Sequence, residues 1–273
     1  MPEEKEPHYF GCDLSKRPGF PYYAMDEKKY LSLFAEGAHF KRVGEASVYY
    51  LVSTRAASEI KEFSPSAKII IMLRNPIDMM NSLHSHHVYT ASEDIESFAL
   101  ALEVEDDRKL GMRIPKSRGL VDGLFYRHVA KYAEQVQTYF KVFGRQNVHV
   151  IIFDDFRNDT PGVYAQTLRF LDVNPEFRPD FSIINDNRRA RSGILRYIWA
   201  NRPPILQRVL LDRINPSPPR RLLISALQWI YRRPAPRLPL DPELRRRLQA
   251  EFKEEVVQLS RLLGRDLTHW CRE

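Results

Sequence analysis

The chain has 273 residues, 43% hydrophobic and 28% charged, a globular balance that excludes collagen-like, disulfide-scaffold and wholly disordered polymers. Its formal net charge is +7, which favours anionic partners without naming one. The charge is uneven: from Arg188 onward there are 19 basic and 8 acidic residues, against 23 and 27 before it, so the basicity belongs to a Pro-rich last third.

In chain order, residues 1–38 are rich in Pro, Gly and aromatics and read as loops, with one short helix around Glu27–Phe34. Phe40–Gly44 is expected to form a short strand, and Val48–Phe63 one helix with apolar Val48, Leu51, Val52, Ala56 and Ile60 on a face. Ala67–Leu73 is a continuous β-branched run, as in a parallel strand buried on both faces. Asn75-Pro76 opens a helix to about Val88, Asn serving as cap and Pro as first helical residue. Further helices are expected over Ser92–Leu110 and Leu120–Phe143, a strand over Asn147–Phe153, and a helix over Thr160–Leu171. Strands alternating with helices imply a parallel α/β sheet. From Ser192 the chain reads as helices interrupted by Pro. The last, Asp241–Leu263, carries Leu244, Leu248, Phe252, Val256, Leu259 and Leu263 on one face, which predicts packing on the body.

Cys12 and Cys271 lie near opposite ends and fit neither a disulfide framework nor a zinc spacing. The N-terminus has no apolar signal region, and no apolar run approaches the ~18 residues of a membrane span. The expectation is a soluble, cytoplasmic chain.

One stretch carries a chemical signal. Arg74 ends a buried parallel strand, where ligands bind in open α/β sheets, and the next helix points its first amides to the same place. The Arg fork plus free N–H groups reads as a phosphate clamp; the same Arg could equally close the strand by pairing with a carboxylate.

The segment KIIIMLRNPIDMMNS resembles the 3′-phosphate-binding segment of sulfotransferases that use 3′-phosphoadenosine 5′-phosphosulfate: a strand, Arg-Asn-Pro, and a Ser eight residues after the Arg. The resemblance implies that Arg74 and Ser82 hold the nucleotide's 3′-phosphate. Met79 stands where many members have a second Arg. Lys5-Glu6-Pro7-His8-Tyr9-Phe10 is similar to a segment of glycan-type members, in which the Glu is the general base and the His lies beside the acceptor. By that likeness Glu6 and His8 are catalytic candidates and Lys5 touches substrate. Gly44-Glu45-Ala46-Ser47 resembles the family's Gly-Glu-Lys-Thr-Pro, with Ala46 in place of Lys, and makes Glu45 an acceptor contact or simply a helix-start carboxylate. Tyr126, with the helix and strand after it, resembles the central part of the family; it lines the nucleotide site or belongs to the core.

The likeness implies an α/β fold of the P-loop nucleotide-kinase-like kind, a parallel sheet flanked by helices, with an all-α C-terminal extension. The domains expected are a sulfotransferase-like body over 1–190 and a basic, Pro-interrupted helical tail over 191–273 packed on it. The family's Gly-rich phosphosulfate loop and first strand find no match, and the expectation is that the chain begins after them. The activity implied is sulfuryl transfer to a hydroxyl or amine, first of all on a carbohydrate. By the resemblance it needs no metal; of the clustered His84, His86 and His87, His84 and His87 share a helix face, but no Cys or acidic third ligand is spaced to join them. The rival reading is a catalytically inactive binder of anionic ligands, a sulfated glycan, nucleic acid or membrane surface, through the Arg clusters of the tail. No nucleic-acid motif accompanies those clusters.

Overall fold

The structure, a computed structural model, describes residues 5–14, 25–115, 120–181, 188–190, 232–234 and 239–272. It divides into two compact units, the first formed by Met1–Met80, Arg118–Phe181 and Asp241–Glu273, the second by Asn81–Ser117 and Ser182–Leu240. The tail's Pro breaks and Arg clusters between 191 and 231 lie outside the described residues. Among the described residues no helix is long and apolar enough to cross a membrane.

The first unit is built on two parallel strands, β1 (Ile69–Leu73) and β2 (Val148–Ile152), in register from Ile69 opposite Val148 to Leu73 opposite Ile152. Side chains alternate across a strand. Ile71, Leu73, Val148 and Ile152 face a core shared with Val136 and Tyr139 and with Val256, Leu259, Leu267 and Trp270 near the C-terminus. The first pair belongs to the helix Tyr132–Phe143 and the next to the helix Pro242–Leu263. The other face differs from the expectation of two-sided burial: Ile70 is 43% and Met72 48% exposed. An apolar run specifies a strand but not a cover for each face. On β2 that cover exists, where the His149 ring stacks on Phe170 at 5.2 Å.

In chain order the remaining helices are α1 (Glu27–Ser32), α2 (Ala56–Phe63), α3 (Pro76–Thr90), α4 (Phe98–Glu103), α5 (Glu105–Lys109), α6 (Tyr126–Val129), α7 (Tyr132–Phe143), α8 (Phe153–Asn158), α9 (Thr160–Phe170) and α10 (Pro242–Leu263). The cap expected of α3 forms, Asn75 Oδ1 accepting from Ile77 N at 3.0 Å, and α10 has one as well, Asp241 accepting from Leu244 N at 2.9 Å. At its far end α10 stops on Gly264 at φ 66°, a left-handed cap that glycine takes without strain. Leu244, Leu248, Phe252, Val256 and Leu259 are buried, so this helix packs on the body as its periodicity predicts.

Several expected elements form differently. Residues 40–44 make no strand; Arg42 instead donates to Leu171 O at 2.9 Å, satisfying a carbonyl at the end of α9. The single helix expected over Val48–Phe63 is a short turn at Val48–Leu51 and then α2. The break falls where Ser53 Oγ accepts from Ala56 N at 2.9 Å and Asp13 accepts from Thr54 N at 2.8 Å. These side chains hold amides that a continuous helix would have used. Leu120–Phe143 divides into a turn at Val121–Leu124, α6 and α7, with Gln135 Nε2 donating back to His128 O at 2.9 Å across the second break.

The second unit contains α4, α5 and most of α3. Helix α4 starts at a Ser97 cap rather than at Ser92. Glu93 is drawn into a fully buried two-bond pair with Arg108, at 2.7 and 2.8 Å, and also accepts from the amides of Asp94 and Ile95. A doubly hydrogen-bonded, buried carboxylate of this kind cannot also begin an exposed helical turn. The strands β3 (Arg188–Ala190) and β4 (Arg232–Pro234) pair antiparallel in the same unit.

Candidate active site

Two groups of candidate residues lie in the first unit. The first is the segment 5–14, which has no helix or strand of its own. Its polar groups are held by side chains from 45–59. His8 N donates to Ser47 Oγ at 3.1 Å, Phe10 N to the Tyr50 hydroxyl at 3.2 Å, and Gly11 N to Glu59 Oε2 at 2.7 Å. Asp13 accepts from the Ser53 hydroxyl and from Thr54. Aromatic rings pad the segment: Tyr9 stacks on Tyr30 at 4.2 Å, and Phe10, Tyr30, Tyr50 and Ala56 form a small buried cluster.

Within this segment Glu6 and His8 come together. Glu6 Oε2 lies 3.2 Å from His8 Nε2, with the His side chain 7% and the Glu side chain 46% exposed. A carboxylate reachable from solvent is thus backed by a shielded imidazole. Both residues have positive φ, 52° for Glu6 and 48° for His8, with Pro7 between them. Non-glycine residues avoid this region, and such strain persists only where surrounding contacts impose it. Lys5 is exposed beside them.

Glu45 lies next to this pair. Its Oε2 accepts from Ser47 Oγ at 2.9 Å, while Oε1 is shielded from solvent and makes no hydrogen bond among the described residues. Burial pushes the Glu45 carboxyl up; the Tyr50 and Ser47 hydroxyls, His8 and Tyr30 oppose it without cancelling it. Burial, helped by the Glu45 charge, also raises the Tyr30 and Tyr50 hydroxyls, so both stay protonated donors.

The second group is the turn after β1. Arg74 is half-buried, with its guanidinium carbon 5.1 Å from the centre of the Phe153 ring, which starts α8 after β2. Among the described residues no carboxylate lies within ion-pair distance of it. Among the described residues the carboxylate-paired alternative for Arg74 does not form, and its guanidinium is half-buried and stacked on Phe153. The helix amides contribute less than expected. Pro76 has no N–H and Ile77 N is taken by Asn75, while Asp78 in the same first turn pairs with Arg245 at 2.7 Å.

This turn is braced from the far end of the chain. Asn75 Nδ2 donates to Trp270 O at 3.2 Å, and Trp270 Nε1 donates to Asp154 Oδ2 at 2.9 Å. Arg265 makes a two-bond pair with Asp155, which holds that carboxyl below its ordinary range. Sequence reasoning missed Ser47, Tyr50 and Trp270. The signal for Ser47 was its place beside Glu45, and for Trp270 a lone large aromatic in a polar terminus.

Ser82 is half-buried on α3, two residues into the second unit, so its pairing with Arg74 rests on the resemblance. Tyr126 is fully buried at the start of α6. His84 and His87 are buried on α3, His84 Nε2 lying 2.9 Å from Ile95 O; among the described residues no three His, Cys, Asp or Glu side chains gather as a metal site would require.

A family model of the sulfotransferase domain matches residues 3–187. The chain belongs to the sulfotransferase family. Among solved structures it is similar to a sulfotransferase from Alicyclobacillus acidocaldarius, with a TM-score of 0.71 and 30% identity over 99% of this chain and 87% of that one. No curated protein matches it. The sulfotransferase fold is thus an α/β one, a small parallel sheet flanked by helices with a helical C-terminal region. Sulfuryl transfer is the chemistry the family shares.

Proposed function

We propose that this sulfotransferase moves a sulfuryl group from 3′-phosphoadenosine 5′-phosphosulfate to a hydroxyl or amine, with carbohydrates as the first acceptor class. The observation that carries the reading is the Glu6–His8 pair, a solvent-reachable carboxylate 3.2 Å from a shielded imidazole on a strained turn. Glu6 takes the proton that the acceptor's O–H or N–H gives up as its bond to sulfur forms. His8 fixes the carboxylate's direction, and Glu45 contacts the acceptor by the resemblance.

Arg74 fits the donor's 3′-phosphate, being half-buried, stacked and without a carboxylate partner among the described residues. Ser82 joins it by the resemblance. When bound, the nucleotide supplies the activated sulfuryl group and leaves as adenosine 3′,5′-bisphosphate. The protein's part is position and charge, as in phosphoryl transfer, and the reading needs no metal.

A second reading, a non-catalytic binder of anionic ligands, is favoured by one observation. Among the described residues no glycine lies between a strand and the helix after it, so a backbone cradle for the phosphosulfate is not among them. Turnover separates the two. The chain is supplied with 3′-phosphoadenosine 5′-phosphosulfate and glucosamine, which offers both hydroxyls and an amine. Adenosine 3′,5′-bisphosphate and a sulfated sugar are expected. Nucleotide binding without turnover on this or other hydroxyl acceptors favours the second reading, and absence of both overturns the first.

A further inference from the structure

The Glu6–Pro7–His8 turn holds two non-glycine residues at positive φ. A chain left to itself would relax such a turn, and relaxation would carry the Glu6 carboxylate away from the imidazole. Something must impose it. The bonds from Phe10 N to Tyr50 and from Gly11 N to Glu59 lie downstream of the turn. Among the described residues, a bond inside it runs from His8 N to Ser47 Oγ, at 3.1 Å.

Ser47 is 8% exposed, and its hydroxyl bonds on both its donor and its acceptor side. It has one proton, which goes to Glu45 Oε2 at 2.9 Å, and a lone pair, which receives the His8 amide. The Glu45 carboxylate therefore fixes the rotation of the hydroxyl, and the hydroxyl fixes the backbone that carries the catalytic candidates. Ala at 47 would leave the His8 amide without this acceptor and Glu45 without this donor. Thr would keep both bonds.

We propose that Ser47, oriented by Glu45, is the positioning residue of the Glu6–His8 pair: it touches neither substrate nor reacting atoms and acts by holding the strained turn. The inference rests on the reading of Glu6 as proton acceptor.

The test compares the full-length chain with Ser47→Ala, Ser47→Thr and Glu6→Gln. Turnover is measured with 3′-phosphoadenosine 5′-phosphosulfate and glucosamine, affinity with adenosine 3′,5′-bisphosphate, and hydrogen exchange at the amides of residues 8–11. For Ser47→Ala, kcat is expected to fall ~10–100-fold, the scale of a misplaced catalytic group, with nucleotide affinity unchanged. The His8 amide should exchange faster while those of Phe10 and Gly11 stay protected, and Ser47→Thr should restore both turnover and protection. Wild-type turnover in Ser47→Ala, beside a crippled Glu6→Gln, overturns the positioning role and leaves the proton-acceptor reading intact. Equal turnover in Glu6→Gln and wild type overturns that reading instead. A parallel loss of nucleotide affinity in Ser47→Ala means a general structural role and also overturns the proposal. Should no variant turn over, a His8 amide as slow in Ser47→Ala as in wild type overturns it equally.

Discussion

The two halves of the proposed site are held in opposite ways. The Glu6–His8 segment has no regular structure and is suspended from side chains roughly forty residues away, Ser47, Tyr50, Ser53 and Glu59, through its own amides and Asp13. The Arg74 turn sits between a strand and a helix, with its backbone already fixed, and is braced by Asn75, Trp270 and Asp154. Regular structure places a charge with little strain. A side-chain suspension can impose a conformation the backbone resists, at the cost of depending on each suspending group. Proton transfer needs the tighter placement and anion binding the sturdier mount.

Substitutions on the two sides should therefore fail differently. The largest effect is expected for Glu6→Gln, which keeps shape and removes the base: kcat should fall by about 10²–10⁴-fold in a steady-state assay with KM for the donor little changed. Next is Arg74→Ala. Losing charge-assisted bonds to a phosphate costs about 1.5–3 kcal/mol, so calorimetric affinity for adenosine 3′,5′-bisphosphate should drop by roughly 10–150-fold. Asn75→Ala removes the cap on Ile77 and the bond to Trp270, and should lower unfolding free energy by about 1–2 kcal/mol in a urea titration. If it lowers turnover far more than nucleotide affinity, the division of labour is wrong.

Two carboxyls on the suspended side should titrate with opposite signs. Burial alone would raise the Asp13 carboxyl, but bonds from Ser53 and Thr54 hold it below its ordinary value. Its contribution is present above the unfolded carboxyl's range and fades as pH falls through the lowered one. Glu45 is raised by burial, so the folded state holds its proton more tightly than the unfolded state does. That contribution is present in acid and lost as pH rises through the raised value. Glu45→Gln, neutral at every pH, should accordingly raise the melting temperature at pH 7 and do so less in acid. A thermal scan of both proteins across pH 4–8 checks the sign.

The contrast also explains what could be read from the sequence. Strand, Arg, Asn-Pro and helix are contiguous, so both the fold and the chemistry around Arg74 are local, and so is the buried stripe of α10. The Glu6 segment could be matched to a family pattern, but the side chains that hold it lie far along the chain, Ser47 39 residues from His8. The break between the Val48–Leu51 turn and α2 was hidden for the same reason, since Asp13 helps to make it. Helix periodicity continues across such a break because both pieces bury the same kinds of residue. The bare face of β1 was hidden differently: Ile70 and Met72 are as apolar as Ile71 and Leu73, and composition does not say which side has a neighbour.

The account's central claim is that binding the nucleotide and accepting the proton belong to separately held groups. Titration of adenosine 3′,5′-bisphosphate into the wild-type chain, Arg74→Ala and Glu6→Gln tests it most directly. The account predicts saturable binding to wild type, the same affinity within about twofold for Glu6→Gln, and a loss of at least about tenfold for Arg74→Ala. Undiminished binding in Arg74→Ala, or an equal loss in both variants, would contradict it.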